Sequence, residues 1–399
     1  MTAYGTVGVG SLHHPLPPFV GALPPFRNRW DHTAGPLIST RVVPAPTGPR
    51  LKGAPRWHRR ASQPRFCDHE PMPSRRMEWA VAGAVAGWAA ARLAGADRLR
   101  FAEAWAVPLL SFTPQVTAGA WASALLLRGA GPAAATAVAG AALTAAVGPR
   151  AVPSRQPPAA GPVLRVLTAN LLVGRAGAEA VVELVCRKHA DVLFVQELTD
   201  GAAARLQQAG LGDLLPQRVT QPVSHGTRGS IYARYPLRGG PLAVQVSAAR
   251  CTARLDLPSG PSVQLACIHV APPKPPWSPD ATARWRSQLS ALPVPGDGPS
   301  NLAGDFNATL DHAQFRRLLR RGYVDAASQA GHGLSPTWGP QPGRRLALLA
   351  IDHVLIDRRC AVLTTSAHWL TGSDHRALYA ELRLPAPHSR GTRHRRPQR

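Results

Sequence analysis

Acidic residues are scarce in this chain: its 399 residues include 22 Asp and Glu against 46 Lys and Arg, a formal net charge of +24. More than half of that excess comes from the two ends. Residues 1–76 contain eleven Lys or Arg, three acidic residues and thirteen Pro, and residues 385–399 contain five Arg and no acid. Such segments cannot bury enough apolar surface to fold. We therefore predict a disordered basic leader at 1–76, with Met77 as a candidate natural start, and a disordered basic tail at 386–399. The high overall charge is then only weak support for nucleic-acid binding.

Cysteine is also scarce, with five residues and no CxxC pair, which argues against a zinc site. Cys251 and Cys267 lie on opposite arms of a predicted hairpin and could form a disulfide outside the cytoplasm. A register change of one residue would instead put them on opposite faces of the sheet. Both arrangements remain open at this level.

Charge is absent from two long stretches, Ala104–Leu127 and Gly129–Pro149, which can each cross a hydrocarbon core about 30 Å thick. A third candidate span begins at Trp79, with Arg92 able to extend its charge to the interface. We therefore predict a three-helix transmembrane region at 77–150. The alternative is a soluble bundle of Ala-rich helices. No cleavable signal peptide is evident, and the distribution of basic residues does not settle the orientation.

The remainder, from Val163, alternates between strand and helix patterns after a Pro-rich linker at 151–162. Five polar clusters interrupt or end its apolar runs: TAN at 168–170, QE at 196–197, GDFNA at 304–308, IDH at 351–353 and GSDHRAL at 372–378. We expect these side chains to converge on one sheet edge. Phosphoester hydrolysis needs a hard cation, a base for water and donors for the transition state, and these residue types supply them.

Two carboxylates in these clusters have distinct predicted roles. Glu197 ends a buried strand, where an unpaired carboxylate is costly, so Mg²⁺, with Mn²⁺ as a substitute, is a sensible partner. Asp305 can act as the base on the attacking water, and Asn307 can position Asp305 or the phosphate. Asn170 can offer its carbonyl to the metal or its amide to phosphate. The structural alternatives are a helix-capping pair at 196–197 and an Asx-turn at 304–308.

At these motifs the sequence resembles the endonuclease/exonuclease/phosphatase superfamily, over about residues 163–384 and with every major motif in order. The resemblance implies an α/β fold, a four-layer α/β/β/α sandwich (DNase I-like) at 163–385, here preceded by three transmembrane helices. The apolar region resembles membrane-anchored members found in actinobacteria, some associated with teicoplanin-type resistance. In that subgroup the catalytic domain faces outward.

The resemblance also implies roles for further residues. Asp374 resembles the second carboxylate of the metal site, beside Glu197 and Asn170. His375 resembles the imidazole that donates to the scissile phosphate, and Asp352 would hold its tautomer and raise its pKa. His269 matches a position that contacts phosphate, although a strand-end His is otherwise usually a surface residue.

Other polar residues are less distinctive. Arg234 could steady the sheet edge or reach the substrate, with neither role preferred. Thr337-Trp338 resembles a pair that packs under the site. Four histidines have no partner pattern and are expected at the surface: His225, His312, His332 and His368.

Three functions are compatible with these residues. The favoured one is a monomeric, membrane-embedded, Mg²⁺-dependent phosphoesterase that hydrolyses a phosphate ester, a phosphodiester or a lipid-linked pyrophosphate on the extracytoplasmic side. A DNase I-like nuclease is less favoured, because the predicted loops are short and their basic residues scattered. An inactive membrane scaffold is disfavoured because every candidate catalytic residue is present. Members of one superfamily differ mainly in loops, so the substrate itself is not named by these motifs.

Overall fold

Two six-stranded mixed sheets form the centre of the computed structural model, which describes residues 75–221, 226–239, 249–273, 279–339 and 347–386. The first sheet has the order β11-β12-β1-β2-β4-β3. Its strands are β1 Val163–Asn170, β2 Val192–Leu198, β3 Gln217–Thr220, β4 Arg228–Ala233, β11 Ala361–Trp369 and β12 Arg376–Arg383. The second sheet has the order β5-β6-β7-β8-β10-β9. Its strands are β5 Leu237–Gly239, β6 Ala249–Leu255, β7 Val263–His269, β8 Ser300–Asp305, β9 Tyr323–Asp325 and β10 Asp352–Asp357.

Three buried clusters explain why these layers stack. Inward-facing residues of both sheets, such as Phe194 and Leu265, share one core. The outer face of the first sheet packs on α5 Ala178–Arg187, α6 Asp200–Gln208 and α7 Leu211–Leu214. The outer face of the second sheet packs on α8 Pro279–Ser290 and α9 Ala313–Arg320, and the short α10 Ala326–Gln329 follows β9. Alternating burial along the strands thus produces the predicted α/β/β/α layering.

Strand direction brings the predicted polar clusters to one edge. β1 and β2 are parallel, with Asn170 opposite Gln196, and β7 and β8 are parallel, with His269 opposite Asp305. β10 runs antiparallel to β8, so its first residue, Asp352, also lies opposite Asp305. β12 runs antiparallel to β1 and therefore begins at the same edge.

The predicted hairpin is formed by β6 and β7, and its register settles the cysteine question. Cys251 lies directly opposite Cys267, and both side chains are buried between the sheets. They are not joined in a disulfide: the Cys251 thiol donates to the Val219 carbonyl oxygen and the Cys267 thiol to the Val195 carbonyl oxygen, each at 3.2 Å. The alternative of opposite faces was wrong, because the antiparallel register aligns the two residues.

The amino-terminal part of the described chain consists of four helices: α1 Arg75–Ala94, α2 Glu103–Leu110, α3 Thr113–Leu126 and α4 Ala130–Val147. The predicted second span is not one continuous helix. α2 ends at Leu110, and α3 restarts with Pro114 near its first position, where Pro is tolerated because no helical N–H is needed. Among the described residues, one helical stretch, Ala130–Ala151, has the length and composition to cross a membrane.

The helical region is joined closely to the sandwich. Val107 of α2 is buried in the same cluster as Trp285 and Phe306. The segment interpreted as a linker is bonded along its length, since the Ser154 amide donates to the Gln329 carbonyl (3.0 Å) and the Gly161 amide to the Leu384 carbonyl (2.8 Å). It therefore holds the two regions together.

Candidate active site

Polar side chains from both sheets meet at the predicted edge. Asn170 of the first sheet donates through Nδ2 to Oδ2 of Asp305 in the second (3.1 Å) and to Oε1 of Glu197 (3.2 Å). Ser373 donates to the Asn170 carbonyl (2.9 Å) and accepts the His375 amide (3.0 Å). Hydrogen bonds thus cross between the two sheets at this edge.

Glu197 is held from two sides. Its Oε2 accepts the amide of Val173 (2.7 Å), and its Oε1 lies 3.5 Å from Nε2 of His269. Asn170 also accepts the Leu172 amide through Oδ1 (3.0 Å). The Asn170 amide group therefore points at carboxylates, whereas its carbonyl oxygen already has a backbone partner.

Asp305 is the most buried carboxylate of the group. The Asn307 amide donates to its Oδ1 (2.8 Å), and the Asn307 Nδ2 approaches its Oδ2 (3.3 Å). Burial, followed by the charge of Asp352, raises the pKa of Asp305 to about 7, although the His375 charge and the Asn307 hydrogen bond oppose the rise. A carboxylate with that pKa can accept a proton from water near neutral pH.

The backbone conformation of the residue before Asp305 in β8 requires glycine. Gly304 has φ +146°, and a Cβ at this position would lie 2.0 Å from the Ile268 carbonyl oxygen. β7 and β8 can therefore approach closely enough to set His269 beside Asp305 only because residue 304 lacks a side chain.

His375 and Asp352 form the predicted pair. Nδ1 of His375 lies 2.9 Å from Oδ2 of Asp352, while its Nε2 lies 3.9 Å from both Asp305 Oδ2 and Asp374 Oδ1. Burial alone would lower the pKa of His375, but the charge and hydrogen bond of Asp352 outweigh it and raise that pKa to about 10. The structure therefore brings together the two residues of the expected pair, and Nε2 of His375 faces Asp305 and Asp374.

Asp374 is held in place by a residue outside the named strands, Trp338. Trp338 donates from Nε1 to Asp374 Oδ2 (3.0 Å), and the Thr337 hydroxyl accepts the amides of Ile351 (3.1 Å) and Asp352 (3.0 Å). Thr337 thus packs under the site as predicted, but Trp338 makes a direct bond to a site carboxylate. Asp374 Oδ1 is buried and has no hydrogen-bond partner among the described residues.

Backbone strain is concentrated here. Leu172, Val173, Glu197 and Asn307 all have positive φ, between 46° and 55°. Side chains with a Cβ rarely occupy this region, and a β-branched Val is among the least favoured. Val173 is exposed, so packing does not compensate, whereas its amide binds Glu197. The strained residues are therefore the ones that carry or hold the polar groups of the site.

The donor chemistry fits a hard divalent cation. Glu197, Asp305, Asp352 and Asp374 put four carboxylates beside two imidazoles, and the unpartnered Asp374 oxygen is an available oxygen donor. Among the described residues, donor atoms of Asp305, Asp352 and His375 lie within 4.8 Å of one another. His375 is a poor metal ligand in this group, because a protonated imidazole has no free lone pair. Glu197 and Asp374 are better candidates.

The structure does not bring every predicted residue to the site. Arg234 follows β4, where its Nε lies 3.4 Å from Asp191 Oδ1, at the opposite end of β2 from Glu197. It braces that end of the sheet and is not a substrate residue in this geometry. Seven predicted residues do converge: Asn170, Glu197, His269, Asp305, Asn307, Asp352 and His375. Asp374 lies beside them.

Buried histidines were missed by sequence reasoning. His312 is buried instead of exposed, with Nε2 2.8 Å from the Val107 carbonyl oxygen. His353 lies between Asp325 Oδ2 and the Ala308 carbonyl oxygen, 2.8 Å from each. His225 lies outside the described residues. These partners come from distant segments, so no local spacing could have identified them.

Comparison with known proteins agrees with this geometry. Residues 167–375, more than half of the chain, match the model of the Endonuclease/Exonuclease/phosphatase family. Comparison with curated protein sequences found no match.

Comparison with solved structures found similar chains at low identity. An endonuclease/exonuclease/phosphatase from Beutenbergia cavernae is 18% identical, covering 56% of this chain and 72% of that chain, with a TM-score of 0.42. Humanized D. rerio TDP2 is 16% identical, covering 55% and 98%, with a TM-score of 0.44. A Bacteroides vulgatus protein of the same description is 15% identical, covering 56% and 100%, with a TM-score of 0.42.

Proposed function

The chain belongs to the endonuclease/exonuclease/phosphatase family, and from this premise we propose that it is a membrane-anchored, Mg²⁺-dependent phosphoesterase. Its substrate is a phosphate ester, a phosphodiester or a lipid-linked pyrophosphate. Water attacks phosphorus, and the enzyme acts as a monomer. Membership of the family makes it a hydrolase of phosphoester bonds; the cation, the membrane and the substrate class are the proposal.

One observation supports this chemistry most strongly: a carboxylate and an imidazolium with opposite proton roles face each other. Nε2 of His375 lies 3.9 Å from Asp305 Oδ2. Asp305, with its pKa raised to about 7, takes the proton of the attacking water. His375, with its pKa raised to about 10, holds a proton at Nε2 and donates a hydrogen bond to a phosphoryl oxygen.

The remaining residues orient these two. Asp352 holds the His375 tautomer, and Asn307 holds the Asp305 carboxylate. His269, 3.5 Å from Glu197 and 4.0 Å from Asp305, can donate to a bound phosphate. Glu197 and Asp374 would hold Mg²⁺, with Mn²⁺ as a substitute, and a bound cation would offset negative charge on the phosphoryl oxygens.

The surface of the helical region supports the membrane proposal. Its large exposed apolar side chains include Trp79, Phe101, Trp105, Leu125, Leu126 and Val138. Water-soluble monomers rarely expose so much apolar surface together. α1 has 20 residues and α4 has 18, lengths of about 30 and 27 Å at about 1.5 Å per residue. Both lengths suit the hydrocarbon core of a bilayer.

The helix order supports one membrane topology. α1 runs from Glu78, whose carboxylate accepts the amides of Arg128 and Gly129 between α3 and α4, to Arg92, which binds the sandwich. The start of α1 and the catalytic sandwich therefore lie at opposite ends of the helical region. We propose that α1 and α4 span the bilayer, that the 14-residue α3 returns the chain between them, and that the catalytic domain is extracytoplasmic, as in the membrane-anchored branch that the sequence resembles.

An activity panel on the full-length protein in detergent tests the proposed reaction. Lipid pyrophosphates, sphingomyelin, inositol phosphates and DNA are offered with Mg²⁺, and Glu197→Gln is the matched inactive control. We expect hydrolysis of a lipid-linked substrate and none after chelation. Activity on DNA alone would favour the nuclease, and no turnover of any substrate would favour the inactive scaffold.

A separate experiment tests the membrane. Full-length protein should resist extraction by alkaline carbonate, and protease added to intact cells should remove an epitope from the carboxyl terminus. Extraction into the soluble fraction would contradict the anchor, and a protected carboxyl terminus would place the catalytic domain in the cytoplasm.

A further inference from the structure

A buried ionic cluster joins the helical region to the loop that leaves the active site. Asp311 is fully buried, and its Oδ1 lies 2.6 Å from both Nε of Arg92 and Nη2 of Arg150. Nη1 of Arg150 also donates to Asp311 Oδ2 (2.8 Å). Arg92 is in the last turn of α1, and Arg150 lies in the 3-10 turn after α4. The ends of two helices thus meet on one carboxylate, which we call the Asp311 cluster.

The loop at 306–312 has further contacts with the same region. Nδ1 of His312 accepts the Thr309 amide (3.0 Å), so the ring hydrogen is on Nε2 and is donated to the Val107 carbonyl oxygen of α2 (2.8 Å). The Ser111 hydroxyl lies 3.2 Å from the same Nε2. The loop is therefore held by the helical region both at Asp311 and at His312.

This loop carries a residue of the active site. Asn307, four positions before Asp311, donates its amide to Asp305 and has a strained φ of +46°. Its carbonyl accepts the indole N–H of Trp285 (2.9 Å), and the Trp285 ring packs edge-on against His312. A strained residue keeps its conformation only where its surroundings impose it. Here the surroundings include the helical region.

We propose that Asp311, together with Arg92 and Arg150, is a positioning residue that holds Asn307 against Asp305. The helical region is then part of the catalytic apparatus as well as an attachment. This inference rests on the proposed phosphoesterase function for its kinetic test, whereas its structural test is independent of any substrate.

A matched ion pair at the far end of the sandwich provides the control. Asp357 ends β10 at the end opposite Asp352, and its Oδ1 accepts from Nε of Arg359 (3.0 Å). Asp357 is 1% exposed, close to the 0% of Asp311. Loss of either pair weakens the fold, because a buried charge left without its partner is strongly unfavourable. Only Asp311 is connected to Asn307.

The experiment compares Asp311→Asn and Asp357→Asn in the full-length protein, with bis(p-nitrophenyl) phosphate and Mg²⁺ as the probe, well below the melting temperature of each variant. We expect Asp311→Asn to lower kcat about tenfold or more with KM within about twofold, since small displacements of catalytic groups reduce the rate steeply. Amides at 306–312 should lose protection from hydrogen exchange. Asp357→Asn should leave kcat and that protection unchanged.

A folded Asp311→Asn protein with wild-type kcat, or equal losses of kcat in the two variants, would overturn the inference. If the wild type does not hydrolyse the probe, the phosphodiester form of the proposed function fails, and hydrogen exchange at 306–312 still tests the positioning role; unchanged protection there would overturn that role.

If Asp311→Asn does not fold, the triple variant Arg92→Met/Arg150→Met/Asp311→Leu tests the positioning role instead. Apolar replacement of a whole buried ionic cluster often preserves stability, but it removes the directional bonds. A folded triple variant should keep a low kcat, and wild-type kcat in it would refute a positioning role. Arg150→Lys, which retains the charge without the two-pronged contact, should show an intermediate kcat.

Discussion

Carboxylates have different partners at the two ends of the sandwich. At the far end three carboxylates pair with arginines: Asp191 lies 3.4 Å from Arg234, Asp256 2.6 Å from Arg238, and Asp357 3.0 Å from Arg359. Within the part of the chain that the structure describes, the near-end carboxylates form no ion pair with arginine and instead contact amides and the imidazoles of His269 and His375; they are Glu197, Asp305, Asp352 and Asp374.

The far-end ion pairs contribute to stability, whereas the near-end groups are arranged for a reaction. At the far end an arginine balances the charge of each of these carboxylates. At the near end burial and mutual repulsion raise the pKa of Asp305, while Asp352 raises that of His375. Shifted pKa values in opposite proton roles are typical of a catalytic site. Five predictions can break or sharpen this contrast.

The largest expected effect is loss of the metal. If the near end lacks arginines because a cation takes their place, chelation should abolish hydrolysis and Mg²⁺ or Mn²⁺ should restore it. Glu197→Gln should lower kcat/KM about a hundredfold and weaken Mg²⁺ binding by calorimetry. Rescue by Zn²⁺ alone, or full activity in EDTA, would contradict this account.

Asp305→Asn should reduce kcat about a hundredfold or more, because the variant removes the base. The fold should survive, as circular dichroism would show. Asp357→Asn is the control from the far end, and it should lower the melting temperature while preserving kcat. Wild-type turnover by Asp305→Asn would remove Asp305 from the mechanism.

The same variant has a distinct pH signature in stability. The folded pKa of Asp305 is raised from 3.8 to about 7, so the metal-free native state binds more protons than the unfolded state between these values. Stability from this group should therefore fall as pH rises through that window. In metal-free Asp305→Asn the decline should be absent, and melting curves from pH 4 to 8 measure it.

Asp352→Asn should shift the alkaline limb of activity to lower pH. Asp352 is what raises the pKa of His375 to about 10, against the effect of burial, so its loss lets His375 lose its proton earlier. We expect about a tenfold loss of kcat near neutral pH and a larger loss above pH 8, measured as a pH–rate profile. An unchanged alkaline limb would mean that His375 does not act as a donor.

The smallest effect is expected at the far end. Arg234→Ala should leave kcat and KM within about twofold and lower stability by no more than about 1 kcal/mol, because the ion pair with Asp191 is partly exposed. A rise in KM of tenfold or more would restore Arg234 to the substrate site and weaken the contrast between the two ends.

The predictable part of the site consists of residues at strand ends. Asn170, Glu197, His269 and Asp305 each end a run of β-branched and apolar residues, and Asp352 begins one. Parallel and antiparallel pairing then carries such ends to a common edge. Because this information is local and periodic, individual strands and most site residues were predictable, whereas the layered arrangement of two sheets was implied by the family resemblance.

Other features depended on partners distant in the chain. His312 was expected at the surface, yet its ring binds the Val107 carbonyl 205 positions earlier. Arg234 matched a motif, yet β4 directs it to Asp191 at the far end. Trp338 was expected only to pack, yet it donates to Asp374. A single side chain contributes no periodic signal from which such contacts can be read.

The sequence by itself determined which segments are strands and helices, where each strand ends, and which chemical groups stand at those ends, because backbone propensity and burial act over a few residues. Only the tertiary structure decided how charges are paired. The Asp311 cluster joins segments separated by up to 219 positions. Its carboxylate is fully shielded from water. The pairing forms when the helices pack on the sandwich, because a buried charge can be compensated only by a group that the packing brings close to it.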